Sequence, residues 1–197
     1  MDVLFPFGYG LSYTTFEYSN LTLDKSEMKD TDTLTVSVNV RNTGKVKGKE
    51  VVQLYVGMPE SHTIRPVKEL RGFEKIELEP GEEKTVTFTL AKRAFAYYRT
   101  DISDWYVESG NYTIMAAKSS RDIACTATVN VTSTTQIKRV YTMNSTIEEI
   151  MESPVGREIL GKMMAQNPLA QADADDIGMG EAMARMMAEM PLRAMLS

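Results

Sequence analysis

Three acidic residues, Asp101, Asp104 and Glu108, lie close together in the sequence and are the first candidates for chemistry. Enzymes that cleave glycosidic bonds with retention use two carboxyl groups about 5 Å apart, one of which is kept protonated by a secluded pocket. The residues around this cluster are typical of a turn that enters a strand, and nothing indicates a cleft. We therefore expect surface carboxylates here and no catalytic residues in the chain.

The chain contains one histidine, His62, and one cysteine, Cys125. A zinc site needs about three or four ligands, so this pair is too small to form one, and a single cysteine cannot form an internal disulfide. His62 lies in the loop 58–66 without a marked nucleophile beside it. Cys125 alternates with apolar neighbours, as a buried thiol does. The sequence thus predicts neither a metal nor a cofactor.

The composition limits the partners. A net charge of −5 at pH 7 argues against nucleic acid, because phosphate binding requires a basic surface. No apolar run reaches about 18 residues, so we expect no membrane span. The first residues lack the basic and long apolar regions of a secretory signal. Together with the single cysteine, this predicts a cytoplasmic location.

Residues 16 to 132 alternate between apolar and polar side chains with a period of two, which is typical of half-buried strands. The phase changes between Tyr18 and Leu21, which predicts a bulge. Two sheets that bury their apolar faces against each other form a sandwich. The predicted strands span residues 16–23, 33–41, 50–57, 69–78, 84–90, 111–118 and 123–132.

After residue 135 the pattern changes to helical spacing. Ser145-Thr146-Ile147-Glu148 is typical of a capping box, and Ser153-Pro154 fits an N-cap followed by proline in the first turn. Residues 166–180 indicate a linker. We expect the last helix to pack within the chain or in a dimer, since its polar face lacks the basic residues of membrane-surface helices. Four methionines at helical spacing mark this helix: Met183, Met186, Met187 and Met190.

The opening run Phe5-Pro6-Phe7-Gly8-Tyr9-Gly10-Leu11-Ser12-Tyr13-Thr14 closely resembles the segment that leaves the second catalytic domain of glycoside hydrolase family 3 enzymes. In that family the segment leads into a fibronectin type III-like domain, and this resemblance covers about residues 4 to 132. The part from Asn144 to Met164 is similar to helical extensions of some members. Four later motifs resemble that domain in the same order: Val38–Gly44, Gly48–Val56, Arg65–Phe73 and Leu78–Glu82.

The resemblance implies an all-β, fibronectin type III-like sandwich that serves as an accessory domain of a retaining, β-glucosidase-like enzyme. Members of the family place an Asp nucleophile on a (β/α)8 barrel and a Glu acid/base on the next domain. Both domains would precede residue 1 and are missing from the sequence. The nucleophile of the family lies in a Ser-Asp-Trp motif, and these letters recur here as Ser103-Asp104-Trp105. The barrel motif ends a buried strand, whereas Arg99-Thr100-Asp101 precedes it here, so the role is not transferred.

We predict three parts: a leader at 1–15 that joins a preceding catalytic domain, a sandwich at 16–135, and a linker with a helical extension at 136–197. The leader is rich in aromatic residues without partners of its own, so we expect it to contact the catalytic domains or to promote self-association. The residues predicted for interdomain contact are Phe5, Phe7, Tyr9, Tyr13, His62 and Arg65.

An alternative function is carbohydrate binding through surface aromatics. Under this alternative, Trp105 and Tyr106 would stack on a sugar, with Tyr97-Tyr98 close in sequence. Sandwich domains normally bury a tryptophan and several tyrosines, however. We therefore expect these rings to belong to the core.

Overall fold

The computed structural model describes residues 3–135, 137, 142–151, 153–165 and 189–195. The chain divides into two compact units, Met1–Ile137 and Lys138–Ser197. Strands build the first unit and short helices build the second. The predicted combination of a β-sandwich with a helical extension is confirmed.

The described part of the first unit contains ten β-strands, and every strand that was predicted is present within two residues of its predicted bounds. In chain order the strands are β1 (Phe16–Leu23), β2 (Glu27–Lys29), β3 (Leu34–Asn42), β4 (Gly48–Gly57), β5 (Glu69–Leu78), β6 (Glu83–Leu90), β7 (Tyr97–Arg99), β8 (Asp104–Tyr106), β9 (Gly110–Ala117) and β10 (Ile123–Thr132).

Two sheets face each other across the core. The first has the order β1-β3-β6, and the second has the order β2-β10-β9-β4-β5. All neighbouring strands are antiparallel except β2 and β10, which are parallel. Alternate side chains, among them Val38, Leu54 and Tyr112, are fully buried between the sheets. Burial of each such side chain contributes about 1.5–3 kcal/mol, so this alternation is the main source of stability.

The predicted bulge in β1 is confirmed. The pairing of β1 with β3 changes register between Ser19 and Thr22, and Asn20 has a positive φ of 50°. Asparagine is one of the few residues other than glycine that adopt this conformation readily. The bulge reverses the phase of the strand, so that Leu21 and Leu23 still pack against the core.

Three short strands were not predicted from the sequence: β2, β7 and β8. Each has three residues, which is too short for a period of two to be recognised. The strands β7 and β8 pair with each other as a separate hairpin. Ser103, at its turn, has a positive φ of 52°.

Asp30 is a buried carboxylate that holds the end of β2 in place. Its Oδ1 accepts hydrogen bonds from the amide and hydroxyl of Thr134, at 2.9 and 2.7 Å, and its Oδ2 lies 3.2 Å from the ammonium of Lys92. Burial alone would raise the pKa of Asp30, but the Thr134 hydrogen bonds and the Lys92 charge bring it below its ordinary value of 3.8. Asp30 therefore stays charged inside the fold.

The second unit contains α1 (Ile147–Met151) and α2 (Pro154–Ala165) among its described residues. The predicted capping box was wrong by one residue: Thr146 and Glu149 exchange the reciprocal bonds, at 3.1 and 3.2 Å. The hydroxyl of Ser153 accepts a bond from the Gly156 amide, which confirms the N-cap before Pro154. The predicted linker 166–180 and the predicted last helix up to residue 188 lie outside the described residues, whereas Met190, which was predicted to be helical, lies in a bend.

Replacing Asp30 with asparagine should destabilise the sandwich. The substitution removes the charge beside Lys92 and directs an amide at the ammonium, so we expect the free energy of unfolding to fall by about 1–3 kcal/mol at pH 7. Because the pKa of Asp30 is lower in the folded chain, its contribution is complete above pH ~4 and disappears as the pH falls through the folded pKa. Urea unfolding at several pH values measures both effects.

Glu17→Gln is the matched control, because Glu17 is an exposed carboxylate on β1. It should leave the free energy of unfolding within about 0.5 kcal/mol of the wild type. Two results would contradict the assigned role of Asp30. One is an equal loss of unfolding free energy in both variants, and the other is a loss for Asp30→Asn that stays unchanged at pH values below the folded pKa of Asp30.

Candidate docking surface

The outer face of the five-stranded sheet is covered by two irregular segments. On β4 the side chains of Val52, Leu54 and Val56 enter the core, so Gln53 and Tyr55 point away from it. These two side chains are nevertheless only 3% and 4% exposed. The sequence pattern did not reveal this, because alternation on one strand does not show what covers its outer side.

The leader is the first covering segment, and its backbone is what binds it to the sheet. The Nε2 atom of Gln53 donates to the carbonyls of Gly8 and Lys118, at 3.2 and 2.7 Å, and the amide of Ser120 donates to the carbonyl of Phe7 at 2.9 Å. Gly8 has a φ of +76°, and a Cβ atom at this position would overlap the Gln53 side chain. Gly8 is thus required for the close approach.

Because these hydrogen bonds use the leader's backbone, its aromatic side chains remain exposed. The rings of Phe5 and Tyr9 stack on each other with their centroids 5.4 Å apart. Further along, the leader borders a cleft with the start of β4. The exposed side chains of the leader include Phe5, Phe7, Tyr9, Leu11 and Tyr13.

The second covering segment is the loop 58–68 between β4 and β5. Gly57 fits against the carbonyl of Val67, which places this loop on the same outer face as the leader. The side chains of Ile64 and Val67 are fully or largely exposed on it.

Glu108 anchors this loop. Its carboxylate is buried and accepts bonds from the Ser61 hydroxyl at 2.7 Å, the His62 amide at 2.9 Å and the His62 Nδ1 at 2.6 Å. Burial alone would raise the pKa of Glu108, but the His62 amide and the Ser61 hydroxyl bring it below its ordinary value. The carboxylate is therefore a structural anion, and the imidazole of His62 is held outward and remains exposed.

Arg65 differs from the expectation for a surface contact, since its side chain is buried within the domain. Its guanidinium lies over the ring of Tyr97 and donates to Glu69, which also accepts from Arg71. The roles of Glu69, Arg71 and Glu108 were not predicted. These charged residues lie in stretches of alternating apolar and polar side chains. The sequence alone does not show whether a charged residue in such a stretch is exposed or buried.

The three acidic candidates engage different partners. Asp101 forms a bidentate pair with Arg99, at 2.9 and 2.6 Å, and Asp104 accepts a bond from the Trp105 amide, whereas Glu108 binds the loop. The motif Ser103-Asp104-Trp105 leads into β8, as predicted for a turn that enters a strand. These carboxylates are not paired across a pocket in the described residues.

The prediction that Trp105 and its neighbours belong to the core was wrong. Trp105 and Tyr98 lie exposed on the β7–β8 hairpin, where their rings meet edge to face, and Tyr106 is half-buried. The hairpin packs these rings on one another instead of inserting them between the sheets. The guanidinium of Arg93 stacks on the indole and occupies one of its faces.

Other features of the described residues bear on chemistry. Cys125 is half-buried against the core, and burial raises the pKa of its thiol. Within the described ranges, His, Cys, Asp and Glu side chains form no group of three or more that could hold a metal ion. The helices that the structure describes are all too short or too polar to span a membrane.

We call seven of the exposed side chains of the two covering segments the docking surface: Phe5, Phe7, Tyr9, Tyr13, His62, Ile64 and Val67. The sandwich that carries it is a fibronectin type III-like domain, because residues 50–120 match the family described as Fibronectin type III-like domain.

Whole-chain comparisons identify the family. The thermostable beta-glucosidase B of Acetivibrio thermocellus is 49% identical over 197 residues, which is 100% of this chain but 26% of that protein. An exo-alpha-(1->6)-L-arabinopyranosidase of Bifidobacterium breve is 43% identical over 160 residues, covering 81% of this chain and 21% of that protein. The crystal structure of the Bifidobacterium adolescentis GH3 beta-glucosidase superimposes with a TM-score of 0.68 at 39% identity, over 79% of this chain and 22% of that one.

The chain belongs to the fibronectin type III-like domains of glycoside hydrolase family 3 enzymes, where it is an accessory domain. It spans about a quarter or less of the length of these relatives.

Replacing Glu108 with glutamine should release the loop 58–68. Glutamine keeps one acceptor oxygen but replaces the other with an NH2 group, so it cannot accept the bonds from both Ser61 and His62 as the carboxylate does, and we expect a loss of about 1–3 kcal/mol in unfolding free energy. Faster hydrogen exchange at the His62 amide should accompany this loss. Glu60→Gln, an exposed carboxylate in the same loop, is the control and should change neither quantity. Unchanged protection of His62 in Glu108→Gln would show that Glu108 does not hold the loop.

Proposed function

We propose that this chain docks through its docking surface onto the catalytic domains of a β-glucosidase-like family 3 glycoside hydrolase and stabilises them. The observation that carries the proposal is the exposure of the leader's aromatic rings on a segment that the sheet holds by its backbone. Two segments fixed on one face of the sheet present apolar side chains in a defined geometry. Such an exposed apolar patch is typical of a protein–protein interface.

The lengths of the relatives support this occupant. This chain corresponds to 26% of the thermostable beta-glucosidase B and 22% of the Bifidobacterium adolescentis chain, so most of each protein lies outside the matched part. Hydrolysis of the glycosidic bond with retention belongs to that remaining part in this proposal. The docking domain contributes by burying apolar surface and holding the catalytic domains together, whether in one polypeptide or as separate chains.

Docking can be measured with the catalytic region of the Acetivibrio thermocellus beta-glucosidase B, produced without the part that aligns with this chain. We expect the chain to bind this region and to raise its unfolding temperature. Phe7→Ser should weaken binding by about 10- to 100-fold, because a buried phenylalanine contributes about 1.5–3 kcal/mol and 1.4 kcal/mol corresponds to a factor of ten. Calorimetric titration gives the affinity.

Val46→Ser is the matched control, since Val46 is an exposed apolar residue outside the docking surface. It should bind as the wild type does. If Phe7→Ser and Val46→Ser bind equally well, the leader is not the interface. If the wild-type chain forms only homodimers and does not bind the catalytic region, self-association is the function of the docking surface.

Carbohydrate binding is the second candidate, because Trp105 and Tyr98 are exposed. The guanidinium of Arg93 covers one face of the indole and the edge-to-face contact with Tyr98 restricts the ring, so little flat surface remains for a sugar. We expect the chain not to be retained on insoluble cellulose or xylan. Retention that Trp105→Ala abolishes and Val46→Ser preserves would establish a carbohydrate-binding module instead.

A further inference from the structure

Arg65 and Arg71 are two buried guanidinium groups beside the start of β5 that share one carboxylate. Their side chains are 7% and 18% exposed, and the Nη2 atom of each donates to Oε2 of Glu69, at 3.3 and 2.8 Å. No other carboxylate in the described part of the chain forms an ion pair with either residue. Two positive charges therefore meet one negative charge, with the Arg65 guanidinium buried and Glu69 about one-third exposed.

The Nη2 atom of Arg71 also donates to the Ala96 carbonyl at 3.5 Å. Three buried donors of this pair lack a hydrogen-bond partner among the described residues: Nε and Nη1 of Arg65 and Nε of Arg71. Glu108, the buried carboxylate that binds the same loop, is engaged by Ser61 and His62 and does not reach them. The rings of Tyr97 and Tyr112 face the Arg65 guanidinium, which offsets part of the cost of burying it. A buried charged donor without an acceptor is unfavourable, so this arrangement is incomplete.

We propose that Arg65 and Arg71 form an anion-binding site for a carboxylate, which completes the pairing that Glu69 begins. A guanidinium group presents its donors in a plane that suits the two oxygens of a carboxylate. One further carboxylate would supply acceptors for the free donors and balance the second positive charge. Glu69 accepts one hydrogen bond from each arginine. The second carboxylate would bind beside Glu69, at the donors that Glu69 leaves free.

The site borders the β7–β8 hairpin. Tyr97 lies over the Arg65 guanidinium, its hydroxyl shares an exposed hydrogen bond of 3.2 Å with Thr63, and its ring meets the Tyr106 ring edge to face. The hairpin pairs with no other strand in the described ranges.

Two sources can supply the carboxylate: a free small carboxylate, or an acidic side chain of the catalytic domain onto which this chain docks, the second of which rests on the function proposed above. Arg65 lies in the loop that carries His62, Ile64 and Val67, so an acidic residue of a docked domain would reach the site beside the docking surface. The experiment below separates the two sources.

The first arm uses the full chain alone. Sodium acetate is titrated against sodium chloride at constant ionic strength, and the side-chain Nε–H resonances of Arg65 and Arg71 are followed by NMR. We expect a saturable shift of both resonances. Arg71→Gln should abolish the Arg65 shift, whereas Arg41→Gln, which alters an exposed arginine of β3, should preserve it.

The second arm measures binding of the same chains to the catalytic region of the Acetivibrio thermocellus enzyme. If the catalytic region supplies the carboxylate, Arg71→Gln should weaken binding by about tenfold or more, and Arg41→Gln should not. Saturation by acetate with unchanged docking identifies a free carboxylate as the ligand. Weakened docking without acetate saturation identifies an acidic side chain of the partner.

The absence of both effects overturns the anion site. If the wild-type chain does not dock at all, the proposed function fails, and the acetate titration alone then decides about the site. The wild-type titration requires no substitution, so the test still holds if Arg71→Gln does not fold.

Discussion

The buried carboxylate of Glu108 is the interaction on which the functional face depends. A carboxylate leaves water only if hydrogen bonds replace its hydration. Here Ser61 and His62 provide them, and both belong to the loop 58–68. The cost of burying the charge is thus offset only when the loop adopts this conformation. An otherwise irregular segment becomes a fixed part of the domain, and its exposed side chains are presented in one geometry.

The leader is fixed by a different means with the same result. Gln53 lies in the centre of an apolar strand and needs acceptors for its amide, which the carbonyls of Gly8 and Lys118 supply. Because the sheet binds the leader's backbone, the leader's side chains are free to face a partner. Both segments form hydrogen bonds with buried polar groups of the sheet side and expose apolar side chains to solvent. A surface loop usually has the opposite arrangement. The arrangement found here is the one that the proposed docking onto catalytic domains requires.

The sandwich could be predicted from the sequence because its long strands alternate with a period of two, and even the bulge in β1 was visible as a change of phase. The short strands β2, β7 and β8 could not, since three residues contain no period. The burial of the outer face of β4 could not be predicted from the sequence either. Gln53 and Tyr55 alternate as solvent-facing residues do, and only the tertiary structure shows what covers them. Trp105 was misassigned for a related reason: its own short strand is too brief to show whether the ring enters the core.

The motif Ser103-Asp104-Trp105 shows why a short run of letters does not define a site. A catalytic carboxylate needs a second carboxylate at a set distance and surroundings that control its protonation. Asp104 instead accepts a bond from the next amide in the chain, Asp101 is held by Arg99, and Glu108 is held charged by the loop. Each carboxylate is committed to a contact within the local structure. The acidic groups of this region therefore build the shape of the domain.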